Sequence, residues 1–220
     1  MDVTKGPKRA RGERAGLSRQ RVLDAALALV DRDGLAALSM RRLGADLGVE
    51  AMTLYHYVPN KDALLDGLVE RVFEQAAPLT ADGARWRPAL ERYAGSLRRT
   101  LLRHPAVLPL AMSRPAVTPQ TLGAVESGLR MLRDAGFPLG RALDVLNALT
   151  VFVIGHAAVE AATARVNEQG APGSTAYLAQ LDADRFPLLV EAGRGGHGAD
   201  DAARFDHAVR ALLAGFDGGA

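Results

Sequence analysis

Met52, Thr53, Tyr55 and His56 crowd into the run Glu50-Ala-Met-Thr-Leu-Tyr-His-Tyr-Val58. Counting about 100° per residue from an inward Leu54 turns Met52 and His56 outward and sets Thr53 and Tyr55 on the flanks. The same count returns Val58 and Glu50 to the inner side. A face of thioether, hydroxyl, phenol and imidazole is poorly suited to solvation alone. Its chemistry is contact, since such groups meet base edges, thymine methyls and phosphates. Other chemistries find no support. His56, His104, His156, His197 and His207 show no metal-ligand spacing such as HExxH, and no GxSxG, P-loop or dinucleotide fingerprint occurs. The chain is therefore read as a non-enzyme, with no catalytic residues, no metal and no cofactor. Zero cysteines rule out disulfides and thiolate sites.

The face at 52–56 needs elements to position it, and these follow from local signals. Ser18 caps a first helix with Val22, Leu23, Ala26, Leu27 and Val30 inward, ended by Gly34. Ser39 caps a second carrying Leu43 and Leu47, ended by Gly48. A third begins near Glu50 and stops at Val58-Pro59. Asn60 caps a fourth, with Leu64, Leu65, Leu68, Val72 and Phe73, that runs out near Ala77-Pro78. Two short helices joined by a tight turn at Gly48 make a helix-turn-helix, whose second helix enters the major groove.

Beyond a connector at 78–85, helices are expected at roughly 86–103, 106–112, 119–135, 139–166, 174–182 and 201–216. Flexible loops are expected at 170–174 and 193–198, with a frayed tail after Phe216. No stretch alternates as a strand does. The fold class is all-α: an N-terminal three-helix helix-turn-helix DNA-binding domain (17–63) and a C-terminal helical ligand-binding and dimerisation domain (64–220). Residues 1–16 hold five cationic side chains, three glycines and a proline without apolar periodicity, and read as a disordered arm. That arm either contacts DNA or is a solvated tail.

Over 220 residues the formal charge is only +2, but it is unevenly spread. Residues 1–61 carry eleven Lys or Arg against seven Asp or Glu, a net +4, and the remainder sums to −2. A basic end on a slightly acidic body fits a polyanion partner. Hydrophobic residues make up 48% and aromatics only 5%, so the core must be aliphatic. The least charged stretch, Val145 to Val159, is shorter than the roughly 20 residues of a membrane span and reads as a buried helix. No signal peptide is evident, so a cytoplasmic protein with no membrane partner is expected.

The segment 17–65, LSRQRVLDAALALVDRDGLAALSMRRLGADLGVEAMTLYHYVPNKDALL, resembles the TetR family of bacterial transcriptional regulators. The ending TLY-x-x-V-x-NK-x-x-LL is its most specific part, and the tetracycline repressor branch is nearest. Looser similarity continues through Trp86, the LLR at 101–103, the RP at 114–115, the GF at 136–137 and the FVIG at 152–155. The resemblance implies DNA contacts by Arg41, Ala51, Met52, Thr53, Tyr55, His56 and Tyr57, and a phosphate contact by Lys61. Tyr57 lies nearer the core axis and equally fits inward packing. Ala51 and Met52 depart from the polar base-reading residues of the tetracycline repressor, so a different operator is implied.

In the second half, Tyr93 and Leu97 stand where the tetracycline repressor holds an amide and an aromatic ring for its drug. Its metal-binding histidine position is Leu110, a partner position is Ala77, and its cross-dimer carboxylate falls at Val159, beside Glu160. Leucine, alanine and valine cannot ligate magnesium, so no magnesium–tetracycline chelate is expected. The effector is instead a small, largely apolar molecule in a cavity drawn from Tyr93, Leu97, His104, Leu110, Ser113, Leu143, Leu146, Asn147, Thr150, Val151 and His156. For His156, bonding within the protein is the alternative.

A homodimer on a near-palindromic operator is expected. Its surface would come from Val145, Leu149, Phe152 and Val153 with Phe205, Val209, Leu212, Leu213 and Phe216, the alternative being burial of these residues within the monomer. Repression relieved by a small-molecule effector is the expected mechanism. The fourth helix would act as lever, and the segment 104–115 could rearrange at low cost. Activation, or binding without a ligand, remains the other reading.

Overall fold

The computed structural model describes residues 16–80, 85–114, 117–167, 175–196 and 201–216, with side chains of the long helix described to Ala164. The basic arm (apart from Gly16), Pro115, the loop 170–174, His197 and the tail after Phe216 lie outside them. Among the described residues every regular element is helical.

The N-terminal helices start and stop where side chains satisfy the backbone. Ser18, extended, accepts the Arg21 N–H at 3.2 Å and opens α1 (Arg19–Asp33). After a 3₁₀ turn at Leu35–Ala37, Ser39 accepts the Arg42 N–H at 3.2 Å and opens α2 (Met40–Leu47). Gly48 closes α2 at φ 68°, a left-handed conformation that a Cβ would strain. The third helix is shorter than expected: α3 is Ala51–Leu54, after which the chain stays wound only by turn bonds, such as Val58 N–H to Leu54 O at 2.9 Å. Leu54 and Val58 are buried. Glu50, expected inward, is exposed, because it is the extended N-cap outside the helix and the helical count does not reach it. Asn60 accepts the Ala63 N–H at 2.8 Å to open α4 (Lys61–Glu74), which ends a turn earlier than expected.

The remaining elements are α5 (Trp86–Arg103), a 3₁₀ turn at Pro105–Val107, α6 (Leu108–Ser113), α7 (Pro119–Asp134) and α8 (Leu139–Asn167), then α9 (Thr175–Leu178), α10 (Pro187–Arg194) and α11 (Asp201–Ala214). One aliphatic core runs through both halves, from Leu23 and Leu68 to Leu97, Leu149 and Phe205. The expected boundary at 63/64 falls inside α4, which packs on α1 and also on α5, α6 and α7. Truncating fully buried Leu68 to Ala would cost about 2–5 kcal/mol.

Three features depart from the sequence reading. The helix expected at 174–182 is the single turn α9, while α10 was not anticipated. Gly193, expected in a loop, lies in α10, where a Cβ would stand 2.4 Å from Ala179 N. The absent side chain thus lets α10 rest directly on α9. The dimer residues also move: Val145, Leu149 and Val153 of α8 and Phe205, Val209 and Leu213 of α11 are buried within the single chain. Phe152, Leu212 and Phe216 pack against the same core. Burial within the monomer therefore accounts for these residues. The exposed side of α8 instead presents Leu139, Leu143, Val151 and Val159, the last two 62% and 67% exposed. By length and composition 139–164 could cross a membrane, but in this fold α8 is a core helix packed on α5, α6, α7 and α11.

Candidate nucleic-acid interface and effector cavity

The turn at Gly48 and the anchors Leu54 and Val58 fix which side of α3 faces outward. Met52 is 71% exposed, Tyr55 and His56 are exposed beside it, and Thr53 is half-buried on the flank. Ala51 and Tyr57 pack against the core, so for Tyr57 the inward alternative describes its placement. Among the cations nearby, Arg42 and Arg32 are engaged: Arg42 meets Asp33 at 2.7 Å, and Arg32 meets Asp46 at 2.9 Å. Arg41 and Lys61 are exposed and have no acidic partner among the described residues. Arg41 on α2 and Lys61 at the start of α4, the elements before and after α3, are thus exposed cations that an acidic phosphate backbone could use.

A cavity of about 300 Å³ opens among α4, α5, α7 and α8. Phe73 and Glu74 of α4 form one wall, continued by the segment from Ala76 to Leu79. Opposite lie Gln120, Thr121, Ala124 and Val125 of α7, closed by Tyr93, Leu146 and Thr150. Burial pushes the Tyr93 phenol up to about 12. Among the described residues its hydroxyl has no hydrogen-bond partner.

Of the residues expected to form the effector cavity, Tyr93, Leu146 and Thr150 line it; the others lie elsewhere. Leu97 and Leu110 are core. The Ser113 hydroxyl donates to Pro109 O at 2.7 Å and is exposed. Leu143, Asn147 and Val151 face outward on α8. His156 packs on Phe152 and Phe205, with ring centroids 5.6 and 5.1 Å away, toward α11. His104 sits at the junction of α1, α4 and α5. Of the former metal positions, Ala77 lies beyond α4 on the cavity wall, Val159 is exposed, and Glu160 is bound to Arg98 through Nε at 2.7 Å.

Sequence reasoning missed Phe73, Glu74 and the α7 wall as cavity residues. Val125 falls in register with the inward Thr121, Gly128 and Leu132, yet stays 37% exposed because it fronts the cavity. An apolar stripe alone does not distinguish a core side from a cavity side.

Charged pairs tie this region to the N-terminal helices. Arg19 of α1 grips buried Glu70 of α4 through two bonds, at 2.5 and 3.0 Å. Its guanidinium is held protonated beyond the ordinary range, chiefly by that bonding. Arg71 reaches Asp24 of α1 at 2.5 Å and Glu74 at 2.7 Å. Burial opposes its charge, but the two carboxylates outweigh that and raise its pKa. Arg114, at the end of α6, holds Asp62 at 2.8 Å and Asp66 at 2.7 Å on the first turns of α4. Those bonds likewise raise its pKa.

Residues 22–68 match the family described as bacterial regulatory proteins, tetR family, and residues 77–218 match the tetracyclin repressor-like C-terminal domain. An HTH-type transcriptional regulator of Saccharopolyspora erythraea is 34% identical over 200 residues, covering 90% of this chain and 84% of that protein. The class D tetracycline repressor protein of Escherichia coli is 33% identical over 206 residues, 92% of this chain and 90% of its own. Among solved structures, the Streptomyces coelicolor TetR family protein ActR in complex with actinorhodin superposes with a TM-score of 0.78 at 30% identity. That match covers 94% of this chain and 98% of ActR.

Proposed function

The chain belongs to the TetR family of bacterial regulatory proteins and is a DNA-binding transcriptional regulator; we propose that it is a repressor that occupies a palindromic operator as a homodimer and leaves it when a small, largely apolar effector fills the cavity beside Tyr93. The observation that carries the DNA half is the contact face itself: Met52, Tyr55 and His56 are exposed while Leu54 and Val58 behind them are sealed. Met52, Thr53, Tyr55 and His56 read bases, Ala51 and Tyr57 support them, and Arg41 and Lys61 hold phosphates. The protein acts in the cytoplasm, where its DNA is.

The exposed apolar row Leu139, Leu143, Val151 and Val159 supports dimerisation through α8. A dimer presents two contact faces, and half-site spacing then becomes the switched quantity. The lever is α4, since it begins at Lys61 on the DNA side and ends at Glu74 on the cavity wall. Arg114 clamps its first turns to α6, so a ligand that shifts α6 or the end of α4 displaces both contact faces. A coupling of about 1–3 kcal/mol changes operator affinity about 5- to 150-fold. ActR is described in complex with actinorhodin and an Acinetobacter baumannii TetR variant with minocycline, which supports a small organic ligand for the cavity of this chain.

The test has two parts. Purified protein is titrated onto promoter fragments from around its own gene by fluorescence anisotropy, then challenged with aromatic compounds found to raise its melting temperature. A reporter strain lacking the gene should show raised target expression; lowered expression would identify an activator instead.

A further inference from the structure

We propose that the cavity selects effectors carrying a cationic amine on an apolar body, and that Glu74 is the selecting group. The inference rests on the effector-cavity reading above. Among the described residues lining the cavity Glu74 is the only charged one; the rest are apolar or neutral polar. Its Oε2 accepts Arg71 Nη1 at 2.7 Å, whereas Oε1 has no bond among the described residues. The adjoining crevice shares Glu74 and Gln120 with the cavity and adds Arg19, Glu70 and Arg71. With Asp24 on Arg71, the whole group holds two arginines against three carboxylates, one negative charge in excess.

Two helix ends also face this space, and their partial charges oppose each other. The last turn of α4, which ends at Glu74, presents its negative end, while α7 presents its positive end at Gln120 and Thr121. The α7 end is already capped, since Thr118 accepts the Thr121 N–H. The carboxylate therefore decides the sign. An anionic ligand would meet the Glu74 carboxylate, while the arginines of the adjoining crevice, Arg19 and Arg71, are already engaged by Glu70, Glu74 and Asp24. An ammonium would find Oε1 of Glu74 in a cavity also lined by the rings of Phe73 and Tyr93. At Glu74 an ammonium also competes with Arg71, whose other partner is Asp24 of α1. Ligand charge thereby acts on a contact between α4 and the DNA-binding helices.

Three matched probes test this: 1-naphthylmethylammonium, neutral 1-naphthylmethanol and 1-naphthoate, titrated calorimetrically into the full chain at pH 7 and low salt. The ammonium should bind at least about tenfold more tightly than the naphthoate. Glu74→Gln should shrink that ratio to within about threefold while leaving the alcohol's affinity within about twofold. Equal binding of ammonium and naphthoate, no binding of the ammonium, or a preference that survives Glu74→Gln overturns the assignment. The alcohol separates this failure from failure of the cavity: if it binds wild type but not Thr150→Phe, the cavity stands and only the charge selection falls.

Discussion

His104 Nδ1, at the C-terminus of α5, lies 2.8 Å from Asp31 Oδ2 in α1, and its Nε2 lies 3.2 Å from Gln75 Oε1 at the end of α4. One imidazole thus joins α1, the end of α4 (the proposed lever) and α5, which contributes Tyr93 to the cavity. His104→Ala should lower unfolding stability by up to about 1 kcal/mol, since it deletes two solvent-exposed polar contacts, one to a carboxylate. Urea titration gives the loss. The same variant should bind ligands in the cavity with near-native affinity, because His104 does not line it.

Tyr93 makes a pH prediction whose sign is determined. Burial raises its pKa to about 12, so the folded state keeps a proton that the unfolded chain gives up near pH 10. Its contribution is fully present below about pH 10 and is lost as pH rises toward about 12. Stability of wild type should fall more steeply over that window than that of Tyr93→Phe, by up to about 2 kcal/mol. Tyrosinate absorbance followed against pH should show one of the four tyrosines titrating last, and that step should vanish in Tyr93→Phe.

Thr150 is half-buried on α8 and fronts the cavity. Thr150→Phe should occupy that space, weaken aromatic ligands by about tenfold or more and leave operator binding within about twofold of wild type. Calorimetry and anisotropy on the same preparation read both quantities.

Local signals were the legible part of this chain. Ser18, Ser39 and Asn60 as caps, and Gly34 and Gly48 as stops, each depend on a few neighbouring residues, and each stands where expected. The outward side of α3 was readable for the same reason. The inner and outer sides of α8 were not, because Val145, Leu149 and Val153 alternate with Leu143, Val151 and Val159 on a helix apolar nearly all round. Glu50 escapes the helical count because, as the extended N-cap of α3, it lies outside the helix. The cavity was least legible, since position along α5 and α8 does not say which neighbour a side chain meets. Only the packing of α7 against α4 and α8 makes Val125 and Glu74 neighbours of Tyr93.

The outward row on α8 predicts assembly. Val151→Glu combined with Leu143→Glu should convert a dimer to a monomer in sedimentation velocity, with helical circular dichroism retained because both side chains are exposed. Operator affinity should fall with it, since one contact face alone reads too few base pairs. A double variant that sediments as wild type would remove this surface from the account.

DNA recognition through α3 is the central claim, and operator anisotropy at fixed physiological salt measures it directly. Thr53→Ala with His56→Ala should weaken the operator at least about tenfold while non-specific DNA changes little. Lys61→Ala should instead weaken all sequences alike and reduce the salt slope by about 1. If the Thr53/His56 variant, still folded and dimeric, holds the operator as tightly as wild type, recognition does not run through this face.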